Sequence, residues 1–186
     1  TAGIISPWNY PLILTASPVV EALLSGNTVV LKPSELTPIT GNKIRQIFID
    51  GGIPKDVFQV VHGFGDTGAA LVDSPMTDII CFTGSVKVGR IIAESCGKRL
   101  KPSILELGGC DPMIILEDAD LDRSVSAAVW GGFSNCGQTC ISVEKIYVMD
   151  SIADLFIERL KKQVLSLTQS NNLERADIGG MINQNQ

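Results

Sequence analysis

Residues 78–89 read Asp-Ile-Ile-Cys-Phe-Thr-Gly-Ser-Val-Lys-Val-Gly, a short apolar run that passes through Gly84-Ser85 into a helical pattern. Similar brief apolar runs, followed by turns or helical segments, occur on both sides of it. Strands buried on both faces of a sheet have this continuous apolar character, and strands that alternate with helices form parallel sheets. We therefore predict an α/β fold with a doubly wound, mostly parallel sheet. Its predicted strands are Thr1–Ile5, Thr28–Lys32, Phe58–His62, Asp78–Phe82 and Ser103–Leu107.

Proline, glycine and capping residues indicate where the helices begin and end. Thr37-Pro38 predicts the start of a helix that stops at Gly51-Gly52. Ser17-Pro18 repeats this start signal, so we expect the helix within residues 11–25 to be kinked or broken there. Another helix is expected over residues 84–97.

A second set of elements follows Gly109. The predicted strands are 113–116 and 143–149, and the predicted helices are 121–135 and 152–167. We therefore predict one domain over residues 1–108 and the beginning of a second α/β domain over residues 109–186. Neither end of the chain carries a natural start or stop signal, so we expect a fragment of a longer protein.

The composition excludes several classes of protein. With 45% hydrophobic and 19% charged residues, the chain of 186 residues is expected to be globular. A net charge of −5 without a basic cluster argues against nucleic-acid binding, and no apolar run reaches the ~18 residues of a membrane span. Five irregularly spaced cysteines and one histidine favour reduced thiols in a cytoplasmic protein and argue against a metal site.

Two glycine-rich turns join a predicted strand to a predicted helix. Gly63-Phe64-Gly65-Asp66-Thr67-Gly68 matches the G-x-G-x-x-G pattern of a pyrophosphate site. The acidic residue expected ~20 positions later is absent, so we favour a tight turn with close helix packing. The second turn, Phe82–Gly89, places a helix N-terminus where its free N–H groups suit an anion. Ser85 there either binds a phosphate oxygen or only caps the helix.

Polar residues follow the ends of two other strands. Lys32 and Glu35, in Lys32-Pro33-Ser34-Glu35, are placed to bind the vicinal hydroxyls of a ribose, since ligands of open α/β sheets bind at strand ends. The local alternative is a solvated turn. Asn9, between Trp8 and Tyr10, is placed to donate an amide hydrogen bond to an oxyanion, and its local alternative is a turn residue.

A carboxylate and a thiol are the candidates for covalent chemistry. Glu106 ends a very apolar strand, and such surroundings would raise a carboxyl pKa towards the range of a general base. The local alternative is a side chain that reaches solvent. Cys140 follows a Gly-Gln turn and is either a nucleophile or a buried apolar residue. Cys81, Cys96 and Cys110 fit the buried alternative.

Taken together and in order, six motifs resemble those of the aldehyde dehydrogenase superfamily. They are Pro7-Trp8-Asn9, Lys32-Pro33-Ser34-Glu35, Gly63-Phe64-Gly65, Phe82-Thr83-Gly84-Ser85 with Gly89, Glu106-Leu107-Gly108-Gly109 and Gly137-Gln138-Thr139-Cys140. The last is similar to the stretch found in oxidisers of semialdehydes. The resemblance implies a Rossmann-like cofactor domain to about Leu107, followed by the catalytic domain.

The resemblance also implies roles for individual residues. Cys140 would form a thiohemiacetal and then a thioester, Asn9 and the Cys140 backbone N–H would stabilise the oxyanion, and Glu106 would activate the hydrolytic water. Cofactor contacts would come from Trp8, Asn9, Lys32, Ser34, Glu35, Gly65, Gly68, Phe82, Gly84, Ser85, Gly89, Leu107 and Gly108. Substrate contacts would come from Ser17, Ser134, Thr139 and Ile141.

The implied reaction is oxidation of an aldehyde to a carboxylic acid with hydride transfer to NAD or NADP. Glu35 favours NAD, because a carboxylate binds a free 2′-hydroxyl and repels a 2′-phosphate, whereas the nearby Lys32 leaves NADP as the alternative. The small polar Ser17 and Ser134 favour a semialdehyde or hydroxyaldehyde over a long alkyl aldehyde. The alternatives are a CoA-acylating relative, against which Glu106 argues, and a catalytically inactive nucleotide-binding or structural relative. The whole protein would be a homodimer or homotetramer, and little activity is expected of this stretch alone.

Overall fold

The computed structural model describes residues 1–170, 172, 174 and 176–186. The chain divides into two compact units, Thr1–Leu107 and Gly108–Gln186, which we call unit 1 and unit 2. The division falls one residue before the position predicted from the sequence.

Unit 1 is built on a parallel sheet of five strands in the order β3-β2-β1-β4-β5. This confirms the predicted doubly wound α/β fold. The strands are β1 (Ala2–Ile5), β2 (Val29–Lys32), β3 (Phe58–Val60), β4 (Ile79–Gly84) and β5 (Ser103–Leu107). The helices between them are α1 (Ile13–Leu24), α2 (Pro38–Asp50), α3 (Gly65–Asp73) and α4 (Val86–Lys98).

The helices cover the two faces of this sheet in pairs. Ile4 packs in a core that also contains Val19 of α1 and Ile44 of α2. Its neighbour Ile5 packs against the other core, which contains Val72 of α3 and Ile92 of α4. Because successive side chains of a strand point to opposite faces, α1 and α2 lie on one face and α3 and α4 on the other.

The strand order reverses beside β1, which lies between β2 and β4. The chain first builds β2 and β3 outward on one side, and then crosses back to build β4 and β5 on the other. In open α/β sheets, the carboxyl ends of the strands at such a reversal frame a crevice that binds ligands. The fold alone therefore predicts a site near residues 5, 32 and 84.

The structure differs from the sequence prediction at four places. Helix α1 runs without interruption from Ile13 to Leu24 with Pro18 inside it, so the predicted break does not occur. Strand β3 ends at Val60 rather than His62, and β4 continues to Gly84 rather than ending at Phe82. Thr37 occupies the N-cap position of α2 as predicted, but its side chain makes no capping hydrogen bond.

Unit 2 contains a parallel pair of strands, β6 (Asp111–Ile115) and β7 (Val143–Val148). Two helices, α5 (Leu121–Phe133) and α6 (Asp150–Ser166), pack on them around a core of Ile115, Val125, Ala128 and Phe156. The Asp120 side chain caps α5 by accepting a hydrogen bond from the Arg123 N–H at 3.0 Å. Within the described ranges, no helix combines the length and apolar character that crossing a bilayer requires.

Candidate active site

A cavity of about 640 Å³ opens at the carboxyl edge of β1, β2 and β4, on the side of the sheet covered by α3 and α4. It lies at the reversal of strand order, where the fold predicts a ligand. Nine of the residues that the sequence nominated for cofactor binding line it: Trp8, Lys32, Ser34, Glu35, Gly65, Gly68, Phe82, Gly84 and Ser85. Motifs far apart in the sequence therefore converge on one cavity within unit 1.

Lys32 brings a buried positive charge to this cavity. Its residue is only 4% exposed, and its Nζ donates to the Pro33 carbonyl at 3.1 Å and to Glu35 Oε2 at 3.3 Å. The Cβ position of Gly68 lies 3.6 Å from Lys32 Cδ, so α3 packs closely on the lysine stem. The ammonium and the more exposed Glu35 carboxylate present a donor and an acceptor side by side, which suits a pair of vicinal hydroxyls.

The N-terminus of α4 also faces the cavity. Ser85 is the N-cap, and its Oγ accepts a hydrogen bond from the Val88 N–H at 3.3 Å. A Cβ at Gly84 would lie 2.5 Å from Phe82 Cζ, so only glycine fits between the ring and the helix start. The remaining first-turn N–H groups of a helix suit an anionic group, and a nucleotide phosphate is one that fits here.

The other nominated cofactor residues lie outside the lining of this cavity. Gly89 allows α4 to pack on β5, because a Cβ there would lie 2.5 Å from Leu107 Cδ2. Leu107 packs against the core beneath α4. Gly108 is the first residue of unit 2.

Sequence reasoning missed the cavity walls, which are two helical stripes. In α3, Ala69, Val72 and Asp73 continue the face of Gly65 and Gly68. In α4 the stripe is Val88, Ile91, Ile92 and Ser95. Both stripes repeat at intervals of three and four residues, so extending helical periodicity from the two glycine turns would have found them.

Asn9 lies half-buried in the loop between β1 and α1. Ser6 fixes the beginning of this loop, since its N–H donates to the Lys32 carbonyl at 3.2 Å and its Oγ accepts from Thr15 Oγ1 at 2.7 Å. Ser6 and Thr15 are both buried, which ties the loop to the sheet and to α1. The position of Asn9 is thus set by buried hydrogen bonds on its N-terminal side.

Glu106 and Ser17 come together on the opposite face of the sheet. Both line a groove of about 400 Å³ between α1 and the outer face of β4 and β5, together with Cys81 and Thr83. The Glu106 side chain is exposed. Glu106 points away from the core that holds Leu105 and Leu107 and faces a groove lined mainly by apolar side chains, but unit 1 leaves the carboxylate exposed rather than buried.

In unit 2, Cys140 lies on a turn that buried hydrogen bonds hold in place. The Ser142 N–H donates to the Thr139 carbonyl at 3.1 Å and closes this turn. Gln138 is only 8% exposed; its Nε2 donates to the Asn135 carbonyl at 2.8 Å and its Oε1 accepts from the Ile182 N–H at 2.9 Å. The glutamine of the Gly-Gln-Thr-Cys motif is therefore a structural support for the turn.

The backbone just before this turn is strained. Asn135, Cys136 and Gly137 follow one another with φ angles of 51°, 61° and 73°. Such values are uncommon for residues other than glycine, and strain of this kind is concentrated at functional sites. A Cβ at Gly137 would lie 3.1 Å from the Gly132 carbonyl, so glycine relieves crowding there.

Three of the five cysteines are poor candidates for a nucleophile. Burial raises the pKa of the Cys81 and Cys96 thiols. Cys110 is exposed rather than buried as predicted, but its hydrogen bond with the Glu144 carboxylate raises its pKa as well. A raised pKa lowers the thiolate fraction at neutral pH, and the thiolate is the reactive form.

The remaining two cysteines differ in exposure. Cys136 is half-buried, and its Sγ donates to the Gly179 carbonyl at 3.2 Å. Cys140 is exposed on its turn. Ser134, Thr139 and Ile141, nominated for substrate contact, precede or follow it along the same segment, and Ile141 is also exposed. Cys140 is therefore the most accessible candidate nucleophile of unit 2.

The model of the aldehyde dehydrogenase family matches residues 1–186. The chain belongs to the aldehyde dehydrogenase family. Its relatives in this family include the benzaldehyde dehydrogenase [NAD(+)] of Pseudomonas putida, 41% identical over 186 residues that cover 99% of this chain and 38% of that protein. The succinate-semialdehyde dehydrogenase [NADP(+)] of Escherichia coli is 38% identical over 182 residues, or 97% of this chain and 38% of that protein.

Solved aldehyde dehydrogenases share the fold. The NAD-dependent aldehyde dehydrogenase from Sinorhizobium meliloti matches with a TM-score of 0.96 at 40% identity, over 99% of this chain and 37% of that one. The chain thus spans 37–38% of the length of these aldehyde dehydrogenases. The resemblance inferred from the six motifs is confirmed at the level of the family.

Proposed function

We propose that the whole protein oxidises an aldehyde to a carboxylic acid through a covalent thioester on Cys140. The exposure of this thiol, on a turn held by the buried Gln138, is the observation that supports the proposal most directly. A rigid, accessible thiol can attack a carbonyl carbon without first breaking packing contacts.

Cys140, Asn9 and Glu106 have different roles in this reaction. Cys140 Sγ bonds to the aldehyde carbon, while the Asn9 amide and the Cys140 backbone N–H donate to the oxygen that becomes negative. A nicotinamide cofactor would supply the hydride acceptor, and loss of the hydride from this carbon would leave a thioester on Cys140. Glu106 then takes a proton from water, the water oxygen bonds to the carbonyl carbon, and the carbon–sulfur bond breaks.

The unit 1 cavity fits a dinucleotide cofactor. Its Lys32–Glu35 pair suits ribose hydroxyls, and the α4 N-terminus suits a phosphate. We propose NAD rather than NADP, because the Glu35 carboxylate would repel a 2′-phosphate. The named relatives include one NAD(+) and one NADP(+) enzyme, so kcat/KM measured with both cofactors is the test. A clear preference for NADP would reject this assignment.

For the substrate we propose a semialdehyde or a hydroxyaldehyde. Ser17 places a small polar group in the same groove as Glu106, and Ser134 adds a second hydroxyl near the Cys140 segment. A polar wall stabilises a polar tail better than an alkyl chain. Succinic semialdehyde and glyceraldehyde should therefore be better substrates than hexanal, and the opposite ranking would refute the assignment.

The experiment that tests the reaction is NAD(P)H formation by the whole protein without CoA. The wild type should turn over, and Cys140→Ser should lose turnover by ~10³-fold or more, as expected when a covalent nucleophile is removed. Cys110→Ser is the matched control, an exposed cysteine of the same unit, and should keep wild-type activity. Turnover that appears only with CoA would instead identify an acylating enzyme, and equal activity of Cys140→Ser and wild type would exclude the proposed nucleophile.

A further inference from the structure

The unit 1 cavity is also lined by a carboxylate, Asp73, that has no role in the proposed function. Between the Lys32–Glu35 pair and this carboxylate, the two helical stripes present mainly apolar side chains, including Val72, Ile91 and Ile92. Asp73, the last residue of α3, and Ser95 of α4 then line the cavity as polar side chains. The part of the cavity between α3 and α4 is therefore mainly apolar, with a hydrogen-bond acceptor, Asp73, at the carboxyl end of α3.

The Asp73 carboxylate is held by two donors from α4 and the residue that follows it. Ser95 Oγ donates to Asp73 Oδ1 at 2.5 Å, and Arg99 Nη1 lies 3.2 Å from the same oxygen. Arg99 also donates to Ser95 Oγ at 2.9 Å, which orients the hydroxyl. Both donors use Oδ1, and no described residue donates a hydrogen bond to Oδ2.

The helix dipole of α3 does not favour a carboxylate at Asp73, the last residue of the helix. The carboxyl end of a helix carries a partial negative charge, so a carboxylate in the last turn is destabilising. Other side chains already donate hydrogen bonds to the carbonyl groups at this end of α3. Lys101 Nζ donates to the Val72 and Ser74 carbonyls at 2.7 Å each, and Thr77 Oγ1 donates to the Leu71 carbonyl at 3.0 Å. Asp73 is thus not needed to complete α3, although it is half-exposed and faces the cavity.

We propose that Asp73 determines base specificity by accepting, through Oδ2, a hydrogen bond from the exocyclic amino group of the cofactor's adenine. This inference rests on the proposed use of NAD(P). Gly68 packs on the stem of Lys32, and Asp73 comes five residues later, a rise of about 7.5 Å along the helix. That rise accommodates a purine, from its sugar bond to its amino group, together with one hydrogen bond of about 2.9 Å, and the apolar walls suit its flat faces.

The chemistry separates adenine from a 6-oxopurine. Adenine presents an N–H donor to the carboxylate, whereas hypoxanthine presents a carbonyl oxygen at the same position. Two acceptors facing each other leave both without a hydrogen bond, and sites built to bind a donor reject analogues that lack it.

The test compares NAD with nicotinamide hypoxanthine dinucleotide in the whole protein. For the wild type, KM for the hypoxanthine analogue should be about tenfold higher at nearly unchanged kcat, because a hydrogen bond to a charged group is lost far from the reacting atoms. In Asp73→Asn the two donors hold the amide oxygen at the position of Oδ1, so the amide NH2 faces the base; it donates to hypoxanthine and not to adenine, and the preference for NAD should be lost or reversed. Asp50→Asn, a change of an exposed acid at the end of α2, is the matched control and should keep the tenfold preference.

Each outcome decides the inference. Equal KM values for the two dinucleotides in the wild type, which needs no variant, would overturn it while leaving the proposed function intact. A preference that persists in Asp73→Asn would show that Asp73 only ties α3 to α4 and would also overturn it. If the wild type neither binds NADH nor turns over with NAD or NADP, the proposed function fails and the inference fails with it.

Discussion

The turns Gly63–Gly68 and Gly84–Gly89 look alike in sequence and differ in the charge they place at a helix N-terminus. In α3 the first turn contains Asp66, whose carboxylate accepts a hydrogen bond from the Thr67 N–H at 2.9 Å. In α4 the corresponding second residue is Lys87, and the neutral Ser85 is the cap. A carboxylate already neutralises the partial positive charge that a phosphate would use, so only α4 retains an anion-binding end.

The glycines of the two turns also have different neighbours. A Cβ at Gly65 would meet no atom within 4 Å, and Gly65 borders the cavity. Gly84 and Gly89, by contrast, lie against Phe82 and Leu107. The lesson is that glycine spacing predicts a tight strand-to-helix turn, whereas the side chains of the first helical turn decide whether that turn suits a phosphate.

The largest effect that would sharpen this comparison is expected from Gly89→Ala. The added methyl group would lie 2.5 Å from Leu107 Cδ2, and overpacking of this kind outweighs the better helix propensity of alanine, leaving a loss of about 2 kcal/mol in the free energy of unfolding. Urea unfolding of the whole protein without cofactor measures it. Gly65→Ala is the control, since its methyl group meets open space, and it should change stability by less than about 0.5 kcal/mol. Equal losses in both variants would contradict the assigned packing.

Lys87→Asp should have the next largest effect, here on cofactor binding. The substitution places an acidic residue in the first turn of α4, as Asp66 is in the first turn of α3. Reversing a charge at a helix N-terminus should weaken NADH binding by about 1.4 kcal/mol, or about tenfold, and less at high salt. Calorimetric titration with NADH provides the dissociation constants. Asp66→Asn, the matched change in α3, should stay within about twofold of wild type. If Asp66→Asn altered binding more than Lys87→Asp, the phosphate would belong to α3.

Ser85→Ala should have the smallest effect on the folded protein. It removes the side-chain acceptor of the Val88 N–H and should cost about 1 kcal/mol of stability. Thr37→Ala is an internal control, because Thr37 occupies an N-cap without making a capping hydrogen bond and should change stability by less than about 0.5 kcal/mol. Similar losses at both positions in thermal unfolding would argue against a specific cap at Ser85.

Much of the fold could be predicted from local patterns. Short apolar runs marked the strands of unit 1, and Pro38 and Gly51 marked both ends of α2. Ser17-Pro18 was interpreted as a helix start, and this interpretation is wrong. Helix α1 has already begun before Pro18, since the Leu14 N–H donates to the Tyr10 carbonyl at 3.0 Å. Burial of Thr15 and Val19 on one side of α1 accounts for a helix that continues past a proline.

The motif residues of the candidate site could be predicted from the sequence, whereas the backbone conformation and side-chain exposure around them were harder to predict. Lys32, Glu35 and Ser85 could be found from strand ends and a cap, because parallel strands carry their carboxyl ends to one edge. The left-handed backbone at Asn135 and Cys136 had only a weak sequence signal, because neither residue is glycine and, of the two, only asparagine favours positive φ. The exposure of Glu106 was one of the two possibilities that the sequence left open, and alternation along β5, which places it on the face opposite Leu105 and Leu107, accounts for it.

The measurement that tests the central claim most directly is mass spectrometry of the whole protein as its Glu106→Gln variant, incubated with NAD and succinic semialdehyde. If Cys140 carries the thioester and Glu106 activates the water, NADH should form in one burst, and fragmentation of the labelled peptide should locate a succinyl group on Cys140 rather than on Cys136. Sustained turnover without an acylated peptide, or a succinyl group on any other cysteine, would contradict the account.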